Sequence, residues 1–173
     1  IGLDISDAVD NFSQYFVPNP GRMRILKGIS NTIIIDDSYN ASPIAVHAAL
    51  DALGGLPNPG RKIFLFGDMK ELSDNSKKEH IRVGEHAGQV ADMLVTVGIE
   101  SELAHASAIK SGMNKKNIKH FTDSVSAGKW LSDRLNPGDV VLAKSSRHAI
   151  RMEQALVQLV LPEESSQLVQ EYL

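Results

Sequence analysis

Three short polar stretches in this 173-residue chain each follow an apolar run. They are Asp36-Asp37-Ser38-Tyr39-Asn40, Gly67-Asp68-Met69-Lys70-Glu71 and Lys144-Ser145-Ser146-Arg147. In the first, the Asp37 carboxylate suits hydrogen bonds from sugar hydroxyls, and Tyr39 and Asn40 offer a stacking face and an amide for a flat base. In the third, Lys144 and Arg147 bracket a helix start, where backbone N–H groups and the helix dipole already favour a phosphate or carboxylate. Asp and Asn are common turn residues, so any one stretch alone also reads as a plain turn. Their recurrence at successive strand ends favours a site, because ligands of open α/β sheets bind outside the carboxyl ends of the strands.

Other chemistry is missing. There is no G-x-x-x-x-G-K-[ST] and no G-x-G-x-x-G: Gly128-Lys129 runs into Trp130 without the earlier glycine. A nucleotide site here is therefore incomplete, or borrows its phosphate cradle from another domain. The six histidines lack metal-ligand spacing, and His80 and His86 fall on different helix faces, which points to structural or surface roles. With no cysteine, Cys-based metal and redox sites are excluded. No catalytic residue and no metal ligand is assigned. Glu85, Glu100 and Glu102 read as solvated helix positions, and Trp130 as core.

The elements that must position these turns alternate along the chain. Ile5, Ala8, Val9 and Phe12 give a helical stripe over residues 4–16, and Pro18-Asn19-Pro20-Gly21 breaks it. Strands are expected at 22–26, 32–35, 62–66, 93–97, 118–121 and 140–143, most of them short β-branched runs apolar on both faces. Helices are expected between them. Ser42 with Pro43 opens one that Gly54-Gly55 closes, and Ser76 with Glu79 reads as a capping box for another reaching Val90. Further helices are expected over 100–111, from Asp123 or Ser124 to Leu135, and from the Lys144–Arg147 turn to Val160. Repeated βαβ units imply a Rossmann-like α/β domain, a mostly parallel sheet with helices on both faces, over 19–161. Residues 162–173 read as a polar tail.

A net charge of −3 argues against a general nucleic-acid binder. No apolar run nears the ~18 residues of a membrane span and no signal-peptide pattern appears, so a cytoplasmic protein without a membrane partner is expected. The chain starts at Ile1 rather than Met, as a piece of something longer would.

Several runs together carry a resemblance. Gly21-Arg22-Met23, Asp36-Asp37-Ser38-Tyr39-Asn40-Ala41-Ser42-Pro43, Phe66-Gly67-Asp68-Met69-Lys70-Glu71-Leu72, His80 with Gly84, Gly138 through Arg147, and Met152-Glu153 occur in this order. In that order and spacing they resemble the C-terminal domain of the Mur ligases, over about residues 5–160. Within the family the chain is most similar to the branch that adds D-alanyl-D-alanine to UDP-N-acetylmuramoyl-tripeptide for peptidoglycan synthesis.

The resemblance implies a three-domain ATP-dependent amide ligase working through an acyl phosphate. This chain would be its third domain, inactive alone, with residues 1–18 left from the central ATPase domain. ATP phosphates and Mg would be held mainly by that missing domain. By matched position, Arg22 would face the ATP phosphates, Asp37 the ribose, and Tyr39 and Asn40 the adenine. The turn Lys144, Ser145, Ser146 and Arg147 would meet the D-Ala-D-Ala carboxylate. The alternatives are another Mur-type or folylpolyglutamate-like ligase, or a stand-alone, non-catalytic Rossmann-like binding module. The chain departs from the family pattern at Ser42 (Asn in the family), Ser73 (Gly) and Ser145 (Gly). A Cβ at 145 bears on dipeptide specificity by restricting close approach or a positive φ there.

Overall fold

Short runs such as Ile63-Phe64-Leu65-Phe66 and Met93-Leu94-Val95-Thr96-Val97 have no polar face to show to water, so they belong at the centre of a sheet covered on both sides. The computed structural model, which describes residues 19–57 and 60–172, places them there. Six strands form one sheet: β1 (Arg24–Gly28), β2 (Thr32–Asp37), β3 (Lys62–Gly67), β4 (Met93–Val97), β5 (Ile118–Phe121) and β6 (Val140–Lys144), in the order β1-β2-β6-β3-β4-β5. All neighbours are parallel except β1, which pairs antiparallel to β2. The expected α/β class is therefore found. The helix expected over 4–16 and its first linker residues lie outside the described residues.

On one face lie α1 (Pro43–Gly55), α2 (Ser76–Val90) and α3 (Glu102–Lys110), whose buried residues pack with Ile35, Phe64, Phe66 and Leu142. On the other lie α4 (Ser124–Ser132) and the short α5 (Arg147–Ile150) and α6 (Glu153–Leu156), packed with Ile34, Ile63, Leu65 and Val141. Val46, Leu50 and Leu53 of α1 are buried, each such side chain contributing about 1.5–3 kcal/mol. No helix among the described residues is long and apolar enough to cross a membrane.

Four details differ from the sequence reading. β1 starts two residues late, because Asn19–Arg22 is a turn closed by Arg22 N–H to the Asn19 carbonyl. Ser76 makes no capping box: a 3₁₀ turn, Ser73–Asn75, leads into α2, and the Ser76 hydroxyl turns to Glu100 and His80. The helix expected after residue 146 is split at Arg151, which is left-handed at φ 51°. The polar tail is in fact a helix, α7 (Pro162–Tyr172), anchored in the core by Leu168.

Candidate functional site

β6 is the last strand in sequence yet lies between β2 and β3, so the turns that follow all three strands meet at the carboxyl edge of the sheet. Lys144 is the final strand residue, paired with Asp37 on one side and Phe66 on the other. It is only 2% exposed. Its ammonium donates to Asp37 Oδ2 (2.6 Å) and to the Asn40 carbonyl (2.9 Å). It therefore ties the β6 turn to the β2 turn, and the structure joins two residues that the sequence reading gave to different ligands.

Ser146 ties the β6 turn to the opposite neighbour. Its N–H donates to the Asp68 carbonyl (3.1 Å), and its hydroxyl accepts the Lys70 N–H (3.1 Å). The Arg147 N–H donates back to the Tyr39 carbonyl (3.4 Å). Three turns distant in sequence are thus held by a few bonds to residues 144, 146 and 147.

The β2 turn is braced from below. Asp36 is fully buried and accepts from the Ser38 hydroxyl (2.6 Å), the Ser38 N–H (3.2 Å) and the Gly21 N–H (3.1 Å). Gly21 adopts φ 70° and returns its carbonyl to the Tyr39 N–H (3.0 Å), a path that suits glycine. This docks Arg22 beside the site, with its guanidinium 4.4 Å from the Tyr39 ring centre. The Arg147 guanidinium lies 5.9 Å from the same ring. Asp37 Oδ1 also accepts the Met23 N–H (3.2 Å).

Asp68, on the β3 turn, accepts the N–H groups of Ile99 (3.2 Å) and Ser101 (2.8 Å) and so closes the turn after β4. Lys70 reaches Glu100 (3.1 Å) and Asp68 (3.4 Å). Burial works against its charge, but the hydrogen bond it donates to Glu100 and the charge of Asp68 outweigh it and raise the Lys70 pKa. Glu100, read from sequence as solvated, is a member of this network. His80 is buried; its Nε2 accepts the Met69 N–H (3.1 Å), so its proton is on Nδ1, next to the Ser76 carbonyl (2.8 Å). Among the described residues no group of three or more His, Asp or Glu could hold a metal.

Between these turns is a cleft of about 230 Å³ lined by Tyr39, Asn40, Lys70, Glu71, Ser146, Arg147 and His148. Ser145, next to Ser146 in the chain, does not line it; it is fully buried, with a hydroxyl that has no partner among the described residues. The left-handed non-glycine residues include Glu71 and Ser73 but not Ser145. The Ser145 departure from the family is therefore one of space: a Cβ on Gly67 would sit 2.7 Å from the Ser145 Cβ. The Ser73 departure is the conformational one, at φ 46°. Ser42 caps α1 through the Ala45 N–H (3.4 Å). Lys70, Glu71 and His148 were not among the expected site residues; the Gly67–Glu71 turn had signalled only that its strand end was polar.

A family model described as Mur ligase, glutamate ligase domain, matches residues 21–147. Among curated proteins, the chain is similar to UDP-N-acetylmuramoyl-tripeptide–D-alanyl-D-alanine ligases. It is 33% identical over 137 residues to that of Escherichia coli (78% of this chain, 28% of that protein). To the Haemophilus influenzae enzyme it is 34% identical over 146 residues (80% and 30%). Among solved structures, it is similar to MurF ligase from Thermotoga maritima in complex with ADP, with TM-score 0.70 and 30% identity over 99% of this chain and 35% of that one. MurF from Acinetobacter baumannii gives TM-score 0.68 at 26% identity, over 90% and 33%. The chain spans about a third or less of the length of each of these proteins. The matched segment contains all three stapled turns, and the chain belongs to the Mur ligase family.

Proposed function

We propose that this chain is the C-terminal domain of an ATP-dependent amide ligase that adds D-alanyl-D-alanine to UDP-N-acetylmuramoyl-tripeptide. The observation that carries the reading is the single cleft enclosed by the turns after β2, β3 and β6. At about 230 Å³ it is below the usual range for drug-sized ligands, so it suits a small dipeptide rather than a whole nucleotide. Residues 19–161 then form the dipeptide-admitting domain, with α7 packed onto it through Leu168.

ATP, when bound, supplies the phosphoryl group that activates the acceptor carboxylate. The donors present fit one rim of it and no more. Arg22 is an exposed cation, and Asp37, although engaged by Lys144 and the Met23 N–H, keeps lone pairs for ribose hydroxyls. Tyr39 and Asn40 border the same rim and would lie against the adenine. No phosphate cradle exists in this sequence, which leaves the phosphates and Mg to the preceding domain.

Within the 144–147 turn the work divides by burial. Lys144 positions the β2 turn, Ser145 packs against Gly67, and Ser146 and Arg147 border the cleft where the dipeptide carboxylate binds. Closure of this domain on its neighbour would keep water from the activated carboxyl group. The test is turnover of the full-length ligase with ATP and UDP-N-acetylmuramoyl-tripeptide, offering D-Ala-D-Ala or single amino acids. Efficient use of the dipeptide alone is expected; a preference for a single amino acid overturns the reading.

A further inference from the structure

We infer that Glu71 receives the ammonium group of the incoming dipeptide; this rests on the reading that the cleft admits D-Ala-D-Ala. Glu71 lines the cleft, and it adopts a left-handed backbone at φ 63° that glycine would take without cost. The backbone leading into that residue is held by two bonds. The Met69 N–H is bound to His80 and the Lys70 N–H to the Ser146 hydroxyl. The turn is thus fixed with a bulky acidic residue where the local geometry asks for none.

The charges around Glu71 are already distributed. Lys70, its neighbour, directs its ammonium to Glu100 and Asp68. Lys144 is engaged with Asp37 and the Asn40 carbonyl. The Glu71 carboxylate itself makes no hydrogen bond or ion pair among the described residues. Because the β6 turn lies between the β2 and β3 turns, the cleft has Glu71 on its β3 side and Arg147 on its β6 floor.

A free dipeptide carries opposite charges at its two ends, with an α-amino pKa of about 7.7–8.0, so near neutrality much of it arrives as the zwitterion. Arg147 takes the carboxylate end, and Glu71 holds the other by a charge-assisted hydrogen bond. Glu71 is thereby a substrate-positioning residue that sets which end of the dipeptide faces the activated acceptor.

Two variants of the full-length ligase test this. Glu71→Gln removes the charge and keeps the shape; Glu71→Gly also relieves the left-handed backbone, so it folds at least as well as the natural protein. Both are expected to raise the KM for D-Ala-D-Ala about 10- to 100-fold, the loss of one charge-assisted bond. KM for ATP and for UDP-N-acetylmuramoyl-tripeptide stays within about twofold of the natural enzyme, since uniform turn damage would move all three. D-Lactoyl-D-alanine, which has a hydroxyl in place of the amine, is expected to inhibit the natural enzyme and both variants alike. An unchanged dipeptide KM in both variants, or a parallel rise in the ATP KM, overturns the role of Glu71 while leaving the ligase reading intact. A natural full-length enzyme that refuses the dipeptide overturns the underlying reading instead.

Discussion

Lys144 Nζ lies 2.6 Å from Asp37 Oδ2, and this pair joins the end of the last strand of the sheet to the end of its second. The lysine side chain is 3% exposed and the aspartate 14%, so neither charge is well hydrated once the other is removed. Breaking a buried pair from one side leaves an uncompensated charge, at about 3–5 kcal/mol. Lys144→Met is expected to lower the unfolding free energy of the chain by about 3 kcal/mol. Urea denaturation measures it, and a change under 1 kcal/mol would show that water reaches the pair. Arg22→Ala is the cleaner functional probe, because Arg22 is exposed: turnover should fall with the denaturation midpoint unchanged.

Gly98 has φ 117°, and a Cβ there would stand 2.3 Å from Asp68 Oδ1. Gly98→Ala should therefore combine backbone strain with the loss of the Asp68 bonds to Ile99 and Ser101. A cost of at least about 3 kcal/mol is expected from those mechanisms together. Amide exchange at Ile99 and Ser101 should accelerate first; unaltered protection there would refute the account.

Asp139 is buried at the opposite edge of the sheet. Burial alone would raise its pKa, but bonds from the Arg61 guanidinium (2.6 Å and 3.1 Å), the Asn136 N–H and the Arg61 N–H outweigh it and lower the pKa. A lowered carboxyl pKa contributes stability that is present above the unfolded value, about 3.9, and is lost as pH falls through the folded one. The chain should lose stability below about pH 4, and Asp139→Asn should flatten that fall while lowering stability at pH 7. Melting temperatures from pH 7 to pH 2 decide it.

His47 and His86 stack across α1 and α2 with Nδ1 atoms 2.8 Å apart, and His86 Nε2 is 3.2 Å from Asp51 Oδ1. One ring must donate and the other accept, so the bond does not survive protonation of both. Burial first, and then the neighbouring His86, lowers the His47 pKa. The unfolded chain then binds the proton more readily, and stability falls as pH drops through about 6.5 toward the lowered folded value. His47→Asn should reduce that slope between pH 7 and pH 5. An identical slope would assign it elsewhere, with His105, also lowered by burial and by His120, the next residue to change.

Leu168 on α7 is fully buried. Leu168→Ala should cost about 2–4 kcal/mol, as truncations of core leucines do. A negligible loss in calorimetry would mean that α7 is not part of the cooperative unit.

Where the pattern was dense, the sequence was enough. The Ile63–Phe66 run reads as a central strand and is buried throughout, the Ile33–Ile35 run is a strand although Ile33 is exposed, and Ser42-Pro43 does open a helix. The strand ends were visible because acids and bases collect there. What the residues could not reveal was strand order. Nothing in Val140–Lys144 says that it inserts between β2 and β3, so the pairing of Lys144 with Asp37 across 107 positions was invisible. The Ser76 hydroxyl left its own helix because Glu100 approaches from another turn, a tertiary contact that overrides the local capping pattern. Leu168 looked scattered because a one-residue anchor in a polar helix has little periodicity to detect.

The placement of β6 also has a consequence for synthesis on the ribosome. Until residues 140–144 have emerged, β2 and β3 lack the strand that lies between them in the finished sheet, so their inner edges have no partner. A nascent chain halted before that point holds two half-sheets and no cleft, and its open edges invite pairing with another chain. The cleft therefore depends on a strand made late in synthesis, and the core is filled only later still, by residues such as Leu156 and Leu168.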